Sequence, residues 1–102
     1  MWYAYLAYFV AGLFLANGMP HLVNGISGRK FQSPFASPPA VGESSAIVNV
    51  IWGMINFIIG FVLIMGVGDF KCGFTLDVLM ITLGAFIAAL GLAWHFARVR
   101  GS

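Results

Sequence analysis

His21 and His95, with a handful of asparagines, are the side chains in this sequence best suited to build a chemical site. Asn17, His21 and Asn24 recur at i, i+4 and i+7, a spacing that sets all three on one face of a helix. His95 extends a run of small residues, Gly84, Ala88 and Gly91, by four positions. A pair of imidazoles can supply two axial ligands to a haem iron, two ligands to another metal ion, or hydrogen bonds to a quinone head. It cannot complete a tetrahedral zinc site alone, and neither histidine-bearing apolar stretch has a carboxylate near its histidine, so no metal site is expected. Catalysis has less to stand on. Ser27, Ser33, Ser37, Ser44 and Ser45 occur without a G-x-S-x-G elbow, the acidic residues form no pair, and Gly25-Ile26-Ser27-Gly28 is not a phosphate loop. The chain reads as a non-enzyme.

The elements that must carry these residues are set by composition. Of 102 residues, 61% are hydrophobic and 8% charged, and the mean hydropathy is +0.96. A soluble domain carries about 25% charged residues, and a chain this short cannot hide so much apolar side chain from water. Lipid is the expected surroundings. The net charge of +2 comes from five basic and three acidic residues, which forms no basic stripe and excludes a nucleic-acid surface. Cys72 is the sole cysteine, so no intrachain disulfide is possible, and a buried or interfacial thiol is expected. The N-terminus lacks a basic n-region, and Phe14 spoils an A-x-A cleavage site at Ala16, so it reads as a retained span rather than a signal peptide.

Three apolar stretches predict an all-α membrane protein with a single domain: Trp2 to Leu22, Ala46 to Val67 and Leu76 to Val99. Each supplies the roughly 20 residues needed to cross a hydrocarbon core of about 30 Å, and in lipid an open chain must satisfy its backbone as helix. They are too long for the roughly 10-residue strands of a membrane barrel. Between the first two, Asn24 to Ser45 is crowded with Gly, Ser and Pro, which predicts a long ordered loop lying along the membrane surface, with Phe31 and Phe35 dipping toward the headgroups. The short connection Gly66 to Thr75 makes spans two and three an antiparallel hairpin. Ser44 or Ser45 should cap span two, and Thr75 with Asp77 span three.

An odd number of crossings places the long loop and the C-terminus on one side, which gathers Arg29, Lys30, Arg98 and Arg100. The positive-inside rule makes that side cytoplasmic and leaves the N-terminus outside, with Trp2, Tyr3, Tyr5 and Tyr8 at the outer interface and Trp94 at the inner one. Both histidines then sit near the cytoplasmic face, where Ser45 and Asn49 join them, and Asn56 lies deeper on the same stripe of span two. Such polar groups face protein or a wet cavity, not lipid tails.

Small residues at helical spacing mark the faces on which membrane helices pack. In span one these are Ala4, Ala7, Ala11 and Gly18; in span two Ser45, Gly53 and Gly60 alternate with Asn49 and Asn56; in span three they are Gly84, Ala88 and Gly91. From these stripes the expected role is a structural or interaction subunit of a homo-oligomer or a larger membrane complex. An oligomeric channel or transporter lined by Asn49, Asn56 and His21 is a second reading. A haem-, quinone- or lipid-binding protein using His21 and His95 is a third.

The segments Asn17-Gly18-Met19-Pro20-His21, Gly25-Ile26-Ser27-Gly28, Phe31 to Pro39 and Asn49-Val50-Ile51-Trp52-Gly53 resemble a group of uncharacterised small bacterial integral membrane proteins. The resemblance covers roughly the first half of the chain. It implies a bacterial inner-membrane protein with an ordered loop, and it implies no activity.

Overall fold

The computed structural model describes residues 2–101. It is mostly helical, with three helices long and apolar enough to span a membrane: α1 (Trp2–Ile26), α2 (Ala46–Val67) and α3 (Leu76–Arg100). Its longest dimension, 40 Å, matches a bilayer with its headgroups, about 40–45 Å.

Caps fall at Ser45, whose Oγ accepts from the Val48 N–H at 3.2 Å, and at Thr75, whose Oγ1 accepts from the Val78 N–H at 3.3 Å. Asp77 stands in the first turn of α3 and accepts from the Lys71 backbone N–H at 2.8 Å, tying the connection between α2 and α3 to the helix it enters. Cys72 in that connection is exposed rather than buried.

Two expectations need correction. First, α1 continues through Pro20 and Asn24 to Ile26, so the gap before α2 is shorter than the Asn24 to Ser45 loop read from breaker residues. Gly25, the residue that suggested a break, is buried inside the helix, where its missing side chain admits α2: a Cβ there would stand 2.6 Å from the Ala46 carbonyl oxygen. The gap holds a two-residue strand pair, β1 (Phe31–Gln32) and β2 (Glu43–Ser44), antiparallel with Phe31 opposite Ser44. Phe31 does not dip into headgroups; it is buried between the rings of Phe96, at 4.7 Å, and His21, at 5.4 Å. Phe35 stays exposed, edge-on to Trp52 at 5.0 Å.

Second, α2 and α3 do not pack as a hairpin. Both lie against α1 and hardly touch each other. The reason is where side chains are missing. Gly18 approaches α2 so closely that a Cβ would sit 2.8 Å from the Gly53 carbonyl oxygen, and Gly53 returns the same contact against Leu22 and Gly18. On another side, Gly12 leaves room for the Ile81 backbone, and Gly84 for that of Phe9. Close backbone approach is what holds helices together in lipid, and α1 offers it in two directions. Ala4, Ala11 and Gly18 are buried on α1, Gly53 and Gly60 on α2, and Gly84 on α3, while Ala7 is half-buried. The small-residue stripes are thus used within one chain. Ala88 and Gly91 are the exceptions: a Cβ on Gly91 would meet nothing, and both residues line an open fissure.

Candidate functional site

Because α2 and α3 stand apart, a fissure runs between them with α1 as its floor. Leu13, Phe14 and Asn17 come from α1, Trp52 and Asn56 from α2, and Ala88, Gly91 and Leu92 from α3, around about 420 Å³ of mostly apolar space. A smaller chamber of about 210 Å³ adjoins it toward the connection between α1 and α2. Gln32, Ser33 and Ala40 of that connection line it, together with His21, His95 and Phe96. Asn17, Trp52 and Leu92 belong to the walls of both spaces, so they mark the junction of the two. No charged side chain among the described residues lines either space.

The polar groups are oriented by backbone carbonyls, which can only accept. Asn49 is fully buried, and its Nδ2 donates to the carbonyls of Phe31, Ser44 and Ser45, each at 3.1 Å. Its Oδ1 must therefore face His21, and the 2.8 Å bond between them requires the proton on His21 Nδ1. Nε2 is left as the ring's acceptor, with no partner among the described residues. The same logic fixes a second pair. Asn56 Nδ2 donates to the Trp52 carbonyl at 2.8 Å, so Asn56 Oδ1 accepts from Asn17 Nδ2 at 2.9 Å, and Asn17 Oδ1 keeps no partner among the described residues. The indole Nε1 of Trp52 is buried with no acceptor among the described residues.

His95 closes the chamber from α3. Its Nε2 donates to the Ala40 carbonyl at 2.8 Å, latching the connection to the third helix. Arg100 adds a bond to Gln32 Oε1 at 3.1 Å, a 3.9 Å ion pair with Glu43, and a stacking contact over Phe31.

The structure therefore brings together Asn17, His21, Asn49, Asn56 and His95 of the sequence-based site. Ser45 contributes its carbonyl to Asn49, while its hydroxyl caps α2. Asn24 turns to its own helix, donating to the Pro20 carbonyl at 2.7 Å, and lines neither space. The two histidines share a chamber, but His95 has committed Nε2, and about 210 Å³ falls below the roughly 300–1,000 Å³ of ordinary ligand pockets, too little for a macrocycle such as haem. Trp52, Gln32, Ser33 and Arg100 were not expected. Trp52 was legible, since it lies three residues after Asn49 and four before Asn56, near the face of α2 that carries both amides. Gln32 and Arg100 carry no such signal; they meet only because the connection folds back over α3.

No known protein family, curated protein or solved structure matches this chain. The chemistry of the site rests on its own atoms.

Proposed function

We propose that this protein binds an amphiphile from the surrounding bilayer, with the apolar part in the fissure between α2 and α3 and the polar part in the chamber that His21 and His95 line. The observation that carries the reading is the junction at Asn17, Trp52 and Leu92, where an open, mostly apolar space meets a smaller, less open one whose wall includes His21, Gln32, Ser33 and His95. A concave, mostly apolar site with a few convergent polar groups is the usual form of a small-molecule pocket. A lipid quinone or a neutral lipid fits this division; haem does not.

The subunit and channel readings draw less support from the packing. Most of the small residues that pointed to a homo-oligomer or a larger complex pack within the chain, with Ala88 and Gly91 left facing the fissure. Asn49 and Asn56 are 0% exposed and bonded to His21 and Asn17 of α1, an arrangement that favours helix pairing over a row of pore-lining amides. The protein acts in this reading as a multi-pass protein of a bacterial inner membrane, its connection between α1 and α2 and its C-terminus on the cytoplasmic side and its N-terminus outside.

Native mass spectrometry of the protein released from its membrane tests the proposal. Adducts of lipid mass should accompany the wild type and be lost in Gly91→Phe, which fills the fissure from a position with open space around it. Equal adducts on both proteins would overturn it.

A further inference from the structure

At the junction of the two spaces, one donor and one acceptor stand without partners. Trp52 Nε1–H is buried and has no partner among the described residues. Asn17 Oδ1 is unpaired because its amide is locked the other way round by Asn56, which is itself locked by the Trp52 carbonyl. Both side chains line both spaces. An unpaired buried N–H is costly in an apolar setting, and native proteins rarely leave one without a ligand or a water to accept from it.

We infer that this junction is a subsite for the uncharged hydroxyl head of a membrane lipid, whose oxygen accepts from Trp52 and whose proton goes to Asn17. A hydroxyl is donor and acceptor at once, so a single group answers both atoms. His21 Nε2, a lone-pair acceptor in the adjoining chamber wall, offers a place for a second hydroxyl. Other heads match less well. A quinone or an ester has only acceptors and leaves Asn17 Oδ1 unanswered. A phosphate or an ammonium head would bring a charge into a space where no side chain carries the opposite one. Hydroquinones and diacylglycerols share the required chemistry.

The inference rests on the amphiphile reading above, and the test separates the two. The full chain is reconstituted in lipid nanodiscs and tritiated dioctanoylglycerol is bound at equilibrium. Unlabelled competitors are dioctanoylglycerol itself, its methyl ether, a short-tailed hydroquinone and the corresponding quinone. One or both hydroxyl compounds should compete about three- to tenfold better than the capped or oxidised partner, the range that one net hydrogen bond allows. Which of them does so identifies the source of the hydroxyl. Asn17→Leu, which keeps the side chain's size but removes the acceptor, should erase the preference, whereas Trp52→Phe, which removes a donor that every competitor can use, should weaken hydroxyl, ether and quinone alike. If ether and quinone compete as well as the hydroxyl compounds while Gly91→Phe still abolishes binding, the hydroxyl subsite is wrong and the fissure stands. If the label does not bind, or Gly91→Phe binds it as the wild type does, both fall.

Discussion

Asn49 holds His21 in a single tautomer, although the two lie 28 residues apart, because three carbonyls around the start of α2 dictate which end of the amide meets the ring. This one side chain joins α1, the strand pair and the first turn of α2. It ties the chamber wall to the roof above it.

Asn49→Ala removes all four hydrogen bonds and leaves buried carbonyls behind. Interhelical bonds in membranes contribute about 0.6 kcal/mol on average, and unsatisfied buried groups add to the loss, so the variant should be destabilised by about 2–3 kcal/mol. Reversible unfolding in mixed micelles measures it. A loss comparable to that of an exposed polar residue would show that the network is ornamental.

Glycine positions should divide sharply. Gly84→Ala drives a methyl into the Phe9 backbone and should cost about 1–3 kcal/mol, because α1 and α3 must separate to admit it. Gly91→Ala, on the same helix, meets open space and should fall within about 0.5 kcal/mol of the wild type. Thermal midpoints of the two variants, compared in one detergent, check the contrast.

His95→Ala should open the connection without unfolding the bundle. It deletes the bond to the Ala40 carbonyl, about 1 kcal/mol of local stability. Hydrogen exchange should accelerate at the amides of Ala40, Val41 and Gly42, with the mid-helix amides of α1 unchanged. Uniform acceleration across the chain would contradict a local latch.

If each of the three helices crosses the bilayer, as proposed, the ends of the chain lie on opposite sides. Cysteine substitutions near Trp2 and at Gly101, each in a Cys72→Ser background, should label with a membrane-impermeant reagent from opposite faces of oriented vesicles, Gly101 from the cytoplasmic one. Labelling of both from the same face would remove the topology.

The helices were plain in the sequence because length and hydropathy alone decide them in lipid. The packing stripes were nearly as plain, since Asn49, Gly53, Asn56 and Gly60 are the four buried residues of α2. What they pack against was not. A stripe says that a helix approaches something closely, not whether the neighbour is α1 or a second copy. Gly12 and Gly25, two further close contacts of α1, fell outside the spacing that identified the others. The bonds of His21 and Asn17 to α2 followed from shared depth, whereas Ala40, Gln32 and Arg100 came together through a fold-back of the connection that no local periodicity encodes.

Entry of a lipid tail between α2 and α3 is the claim on which the site depends, and Trp52 can report it. With Trp2 and Trp94 changed to Phe, the remaining indole emission is read in nanodiscs made from lipids brominated at mid-chain. The account predicts strong quenching that Gly91→Phe relieves. Quenching that is weak, or the same with and without the added ring, would contradict it.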